Sequence, residues 1–407
     1  MERSKVFGSR TRLILLGGGF LSLVLCICAI LAILAANVWN WSTLQSQEGI
    51  EPATLPLELQ WTREVKDGSI SDPPWYYEGI VLVRSSRVLS KDMGKSSSPL
   101  SQLDAYDGET GEPKWTFARD AIGVRRDMDL GLDAGGQVVA IMHLQGQVDV
   151  LDVREGSLRW KRGTDAIHSL VADDSALYVS GIGQVRAYDL ATGVWLWESD
   201  LPEEGYLGLA LDQGRLYALR RKIWILDPTT GEITTILDKS RCSDAILISQ
   251  GRIFAHGECD EPGWLVAYDG ETGDRLWGKP FKPENPYWRV TIVDDMLLLR
   301  TESGSLVAAD INTGESFWEY HPAGGVEVIS NVAVLNDLVY FLASDKTLRA
   351  VELHTGKQVG QLQSRYLRSW HDLELGEYIS VPGVAASESL LFVSFGGRTL
   401  YAFAPKD

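Results

Sequence analysis

Positive charge, histidine and cysteine are all scarce in this chain, and each shortage removes a class of function. Lys and Arg total 38 against 55 Asp and Glu, a formal charge of −17 over 407 residues. The clustered cationic surface that nucleic acid requires is therefore missing. The six histidines, His143, His168, His256, His321, His354 and His371, show no HxH or HExxH spacing, the patterns that bring imidazoles onto one metal. No residue sits in a recognisable nucleophile constellation, so no catalytic residue is assigned. Only four cysteines are present, and two of them, Cys26 and Cys28, fall in an apolar N-terminal run. What remains is an ordinary globular balance, 45% hydrophobic and 23% charged, on a chain long enough to bury a large core.

The rest of the chain is built on one phrase, clearest as LVAYDGETGDRLW at 265–277. Seven copies align on Gly111, Gly156, Gly193, Gly231, Gly273, Gly314 and Gly356, at steps of 45, 37, 38, 42, 41 and 42 residues. Periods near forty indicate propeller blades or helical arrays. Four residues before the glycine stands Asp107, Asp152, Asp189, Asp227, Asp269 or Asp310, with Glu352 in the last copy. Four residues after it stands Trp115, Trp160, Trp197, Trp277 or Trp318, replaced by Thr235 and Gly360 in two copies. Apolar residues alternate before the turn, as in Leu265, Ala267 and Leu306, Ala308, the period of a half-buried strand. The unit is strand, turn, strand. An Asp side chain can accept backbone amides two residues on, and glycine accepts a positive φ, so the carboxylate is expected to be structural. A calcium site would need more oxygen ligands than one such turn supplies. The tryptophan is expected to pack between neighbouring sheets.

The two ends of the chain complete each other. LPLELQW, ending at Trp61, is the second half of the phrase without its first, while Leu400, Ala402 and Phe403 form the first half without its second. Joining them closes a ring and removes an exposed edge. A second signal gives the same count. Inner hairpins of two short apolar strands are read as YYEGIVLV, GLDAGGQVVAIM, LVADDSALYV, LALDQGRLYAL, ILISQGRIFA, TIVDDMLLLR, AVLNDLVYFL and VAASESLLFV, which makes eight. The expected fold is all-β, an eight-bladed propeller of four-stranded antiparallel blades over 57–407.

Ahead of the ring, 1–12 carries Arg3, Lys5, Arg10 and Arg12, and 13–38 runs 26 residues without a charge. That length spans a bilayer with some tilt, and the basic flank places 1–12 in the cytoplasm and the propeller outside it. A cleaved signal peptide is the competing reading, but its apolar region is usually shorter. Leu25 and Ile27 before the two cysteines do not supply the small residue of a lipobox. A polar tether follows over 39–56.

The YDxxTGxxxW phrase of Asp107–Trp115, Asp189–Trp197 and Asp269–Trp277 resembles the repeat of pyrroloquinoline-quinone (PQQ)-like β-propellers. That family includes quinoprotein alcohol dehydrogenases and BamB-type outer-membrane assembly factors. The likeness covers nearly all of 57–405 and implies the eight-bladed fold. The dehydrogenases bring adjacent cysteines and long insertions housing calcium and quinone; this chain has no adjacent cysteine pair, and its blades are near minimal length. The resemblance is thus of the BamB kind. It implies a protein-binding or scaffold module with no cofactor, although BamB-type proteins are lipoproteins. The alternatives are a membrane-associated PQQ- and calcium-dependent dehydrogenase, or a small-ligand sensor using the central funnel.

Two further expectations concern particular residues. Cys242 and Cys259 lie symmetrically about the Gln250-Gly251 turn. In an unbroken ladder they face each other within disulfide range, as suits an extracytoplasmic domain. Strand topology also sends the longer segments, 63–75, 85–101, 257–264, 278–289 and 361–383, to one face. Trp75, Tyr76, Phe281, Tyr287, Trp288, Tyr366, Trp370 and Tyr378 on them are the candidate binding residues for a protein partner.

Overall fold

The computed structural model describes residues 54–66, 68–87, 100–119, 131–132, 138–143, 146–163, 168–202, 207–220, 222–237, 245–257, 264–281, 290–363 and 382–406. The apolar run 13–38 lies outside these residues, and among those described no helix is long and apolar enough to cross a membrane.

The ring has eight antiparallel sheets. Blade 1 covers 69–119, blade 2 131–163, blade 3 169–200, blade 4 208–237, blade 5 245–279, blade 6 291–320 and blade 7 333–363. Blade 8 takes three strands from 383–405 and its outermost strand, Leu57–Glu64, from the other end of the chain. That closing strand is antiparallel to Thr399–Pro405, pairing Leu57 with Pro405 and Glu64 with Thr399. Thr54 also bridges Gln361 of blade 7 and Leu55 is 2% exposed, so the folded unit begins within the stretch read as tether.

Each blade runs outward from its first strand. First strands of neighbouring blades touch one another, as Ser169–Ala172 does with Gly208–Asp212. Second and third strands are packed on both sides and read as nearly unbroken apolar runs. Ala176–Ser180 of blade 3 is buried throughout. Its residues divide by parity: Leu177 and Val179 pack toward blade 2, Ala176 and Tyr178 toward blade 4. A strand's side chains alternate between faces, and here each face meets a different blade. The outermost strand meets solvent, and in Trp195–Asp200 only Trp197 is buried.

Every outermost strand carries a bulge beside the repeat tryptophan or its replacement, as between Leu158 and Trp160 or Leu59 and Trp61. Bulges twist an edge and limit pairing with another chain. Blade 1 departs from the others at its innermost strand, which is split into Ser69–Ile70 and Trp75–Tyr77, both paired with Ile80–Arg87. Between the halves, the Asp72 carboxylate stands 2.9 Å from the Arg84 guanidinium.

Candidate functional site

The short-turn face is assembled from the repeat phrase. Asp269 accepts the amides of Glu271 at 3.0 Å and Thr272 at 2.8 Å, and Asp189 takes the Thr192 hydroxyl at 2.6 Å and its amide at 2.8 Å. Asp107, Asp152, Asp227 and Asp310 make the same kind of turn, and Asp152 and Asp107 also hold Arg159 and Lys114 at 2.7 and 3.0 Å. These bonds favour the charged carboxylate. The Thr192 hydroxyl and then its amide hold Asp189 below the usual carboxylate range, and the Thr272 and then the Glu271 amide do so for Asp269. Glu352 takes the Thr355 hydroxyl at 2.5 Å. Each carboxylate is engaged by its own turn. Among the described residues, no group of three or more His, Cys, Asp or Glu side chains could hold a metal.

The turns are also tied inward. The amide of Gly108 donates to Gly79 O at 2.7 Å, Gly270 to Gly251 O at 2.8 Å and Leu353 to Asp337 O at 2.8 Å. Both turns of these blades therefore lie at the same end of the strands, leaving the opposite face to the longer segments.

The joint between blades pairs the tryptophan of one with the glycine of the next. The indole N–H donates to a turn carbonyl of the following blade: Trp61 to Gly108, Trp115 to Val153, Trp160 to Leu190, Trp197 to Pro228, Trp277 to Ile311 and Trp318 to Leu353, at 2.8 to 3.1 Å. The ring lies flat against the glycine, where a Cβ on Gly111 would be 2.5 Å from Trp61 and one on Gly356 2.6 Å from Trp318. With φ near +68° at both, glycine is required for conformation and for space.

On the long-loop face the described residues separate the candidates. Tyr287, Trp288, Tyr366, Trp370 and Tyr378 lie outside them. Phe281 follows the outer strand of blade 5 and is half-buried against the cluster shared with blade 6. Trp75 and Tyr76 do not belong to a loop of this face. They form the inner strand of blade 1 beside the Glu78-Gly79 turn, at the short-turn end, where Tyr76 stacks on Phe392 at 5.5 Å. The apolar pairing surface of Ile80–Arg87 draws them into the blade, where each is half-buried against a hydrophobic cluster.

The cysteine expectation rested on an unbroken ladder. Pairing runs Ser249 with Arg252, Ile248 with Ile253 and Leu247 with Phe254, then jumps to Ala245 with Ala255. Ile246 is bulged out, so equal distance from the turn no longer implies pairing. Cys242 and Cys259 themselves lie outside the described residues.

Blades 6 and 7 carry two polar clusters on the long-loop side. Buried Arg349 donates to the Thr347 hydroxyl at 2.9 Å and the Tyr320 hydroxyl at 3.0 Å and pairs with Asp345, which fastens blade 7 to blade 6. Ser305 Oγ lies 2.7 Å from His321 Nδ1, and His321 Nε2 lies 3.2 Å from Glu319. The order is that of a nucleophile, base and acid, but Ser305 is 1% exposed. The amides of Gly304 and Ser305 already donate to Thr301. A carbonyl substrate has neither an approach nor an oxyanion donor there, and the chain of bonds serves to close the Thr301–Ser305 turn.

The outer rim carries the exposed apolar surface. Eight of the nine large hydrophobic side chains exposed among the described residues, Leu59, Leu158, Val194, Trp195, Leu196, Ile236, Leu276 and Phe317, lie on outermost strands or the turn just before one; Ile182 is the ninth. Blade 3 holds three in succession, with Trp195 59% exposed. A signal for this was present in sequence: Lys114, Arg159 and Arg275 occupy corresponding stretches of other copies where blade 3 reads Val194-Trp195-Leu196.

Comparison with known proteins follows the same architecture. The family profile described as outer membrane protein assembly factor BamB matches residues 58–235, 181–278 and 261–407. The assembly factor BamB of Burkholderia pseudomallei is 25% identical over 179 residues, 42% of this chain and 46% of its own length. That of Shewanella oneidensis is 29% identical over 124 residues, 28% of this chain and 30% of its own length. The chain thus aligns with less than half the length of these curated relatives. Among solved structures, BamB from Moraxella catarrhalis superposes with a TM-score of 0.58 at 17% identity, covering 86% of this chain and 97% of that one. A europium-containing methanol dehydrogenase gives 0.57 at 13%, covering 86% and 93%. Identities this low establish the fold alone. The sequence profile spans nearly the whole ring, and on that ground the chain belongs to the outer membrane protein assembly factor BamB family of PQQ-like β-propellers.

Proposed function

We propose that this chain is a membrane-tethered, extracytoplasmic propeller that binds protein partners during outer membrane protein assembly. The observation that carries this reading is the family match over residues 58–407. Supporting it are blades trimmed to four strands and repeat carboxylates consumed by their own turns. The short-turn face is closed on itself by backbone bonds, so the partner is assigned to the long-loop face. There a rigid ring presents segments free to vary. The run 13–38 serves as the single-pass anchor with the basic 1–12 on the cytoplasmic side, and Cys242 with Cys259 forms a disulfide suited to that compartment.

In-cell photocrosslinking tests the choice of face. Probes at Ile182 and Lys222, on the long-loop side, are expected to capture envelope assembly proteins that probes at Glu109 and Glu271, on the short-turn side, do not. Equal capture of the same proteins from both sets overturns it. Resistance of the chain to carbonate extraction, with an intact N-terminus by mass, tests the anchor. Unreduced peptide mapping tests the disulfide, and two alkylatable thiols in the native protein would end that assignment.

A further inference from the structure

We infer that the outer edge of blade 3 is a strand-addition site for an extended, amphipathic segment of an unfolded β-barrel client, apolar at one end and basic at the other. This rests on the assembly-factor reading and deepens it. Three observations meet at one edge. Trp195–Asp200 ends its sheet, and among the described residues no other strand pairs with its outer side. Outward backbone donors and acceptors of such a strand are a template for another chain.

Second, blade 3 keeps the bulge but lacks the cationic residue that accompanies it on blades 1, 2 and 5. Outer strands of blades 1, 2 and 5 carry Lys114, Arg159 and Arg275 beside the bulge, charges that discourage pairing. Blade 3 instead exposes Val194, Trp195 and Leu196 at 55%, 59% and 48%. Exposed apolar groups held together in this way mark interaction sites.

Third, the edge has polarity along its length. Beyond Trp197 come exposed Glu198 and Asp200, and no Lys or Arg lies within the strand. Glu198 is paired with Arg186 of the adjacent strand at 2.5 Å, while Asp200 accepts only the Gln184 side-chain amide, at 2.9 Å, among the contacts described for it. A guest strand therefore meets apolar surface at the turn end and negative charge at the long-loop end. Strands of outer-membrane barrels are about 10 residues of alternating hydrophobicity, which satisfies the first requirement, and a lysine at one end satisfies the second.

The test uses the full chain in nanodiscs and a fluorescent ten-residue peptide, built to about the length of a barrel strand, of alternating Val and Thr with two terminal lysines. It carries a photocrosslinker at its centre. Binding is expected, with crosslinks mapping to 194–200. A peptide with prolines in place of alternate residues is expected to lose binding, since it loses backbone donors. Trp195→Lys with Leu196→Lys is expected to weaken binding at least tenfold while leaving the melting temperature within a few degrees, both positions being exposed. Asp200→Lys is expected to weaken binding of the lysine-ended peptide and strengthen that of a glutamate-ended one. The inference is overturned by equal binding to the double variant, by equal binding of the proline peptide, or by crosslinks outside the edge. It is also overturned if the double variant instead dissociates a dimer, which would make this edge a contact between copies. Failure here together with intact in-cell capture from the long-loop face would leave the scaffold reading standing.

Discussion

Blades 4 and 7 occupy the same place in the repeat and both lack its tryptophan, yet for different reasons. In blade 4 the position is Thr235, and the next blade still offers a glycine turn. A Cβ on Gly273 would meet Leu237 at 2.9 Å, so a leucine two residues further along the strand fills the space that an indole fills elsewhere. In blade 7 the position is Gly360, and the next blade has no such turn, because blade 8 is made from the two ends of the chain. The indole would have no carbonyl to reach and no glycine to cover. Thr54 and Leu55 run beside Gln361 instead, with Leu55 N–H donating to Gln361 O at 3.3 Å. One exception is a repacked joint, and the other marks where the ring is closed.

The largest expected effect comes from removing a normal joint. Trp318 is 8% exposed and bonds to blade 7, so Trp318→Ala is expected to cost about 3–5 kcal/mol in denaturant unfolding. Thr235→Ala should cost less than about 1 kcal/mol. A similar loss for both would show that the tryptophan is not the joint. Next come the glycines. Gly356→Ala has to accommodate a φ of +67° and an indole at 2.6 Å, giving about 2–4 kcal/mol. Gly273→Ala faces a φ of +72° but only a flexible leucine, and is expected at about 1–2 kcal/mol. Thermal melts of the pair sharpen the contrast between rigid and repacked joints.

At the closure, Leu55→Ala is expected to lose about 2–3 kcal/mol as a buried leucine. Gly360→Trp should bring no gain, since its acceptor turn is missing; a stabilised Gly360→Trp protein would refute this account of blade 7. The smallest effect concerns pH. Asp189 and Asp269 are held below their ordinary range in the folded state. Their contribution is therefore complete above the unfolded carboxylate value and is lost as pH falls through the lower, folded one. Asp269→Asn is expected to melt slightly below the parent at pH 7, with the difference closing below about pH 3. These carboxylates are partly exposed and solvent-screened, so a shift of a few degrees at most is expected, read by calorimetry across pH.

Much of the ring was legible because its signals are local. The aspartate, threonine and glycine of each turn satisfy one another within a few residues, so a thirteen-residue phrase carries its own geometry. The complementary ends at Trp61 and Phe403 then gave the eighth blade. The binding surface was harder to read, and Trp75 and Tyr76 show why. Aromatic residues on a long inter-strand segment look like loop anchors, but a neighbouring strand with free edge groups draws them into the sheet. The reckoning that set Cys242 opposite Cys259 meets a similar limit, because the bulge at Ile246 interrupts the ladder it counted along.

The sequence by itself determined the repeat, the count of blades and the manner of closure, since these follow from turn chemistry and strand period along the chain. Only the tertiary structure decided which side chains stay free. Burial is set by residues from the next blade, 31 positions away for Trp197 and Pro228, so the indole of Trp197 is sealed while that of Trp195, two residues earlier on the same strand, is left facing water.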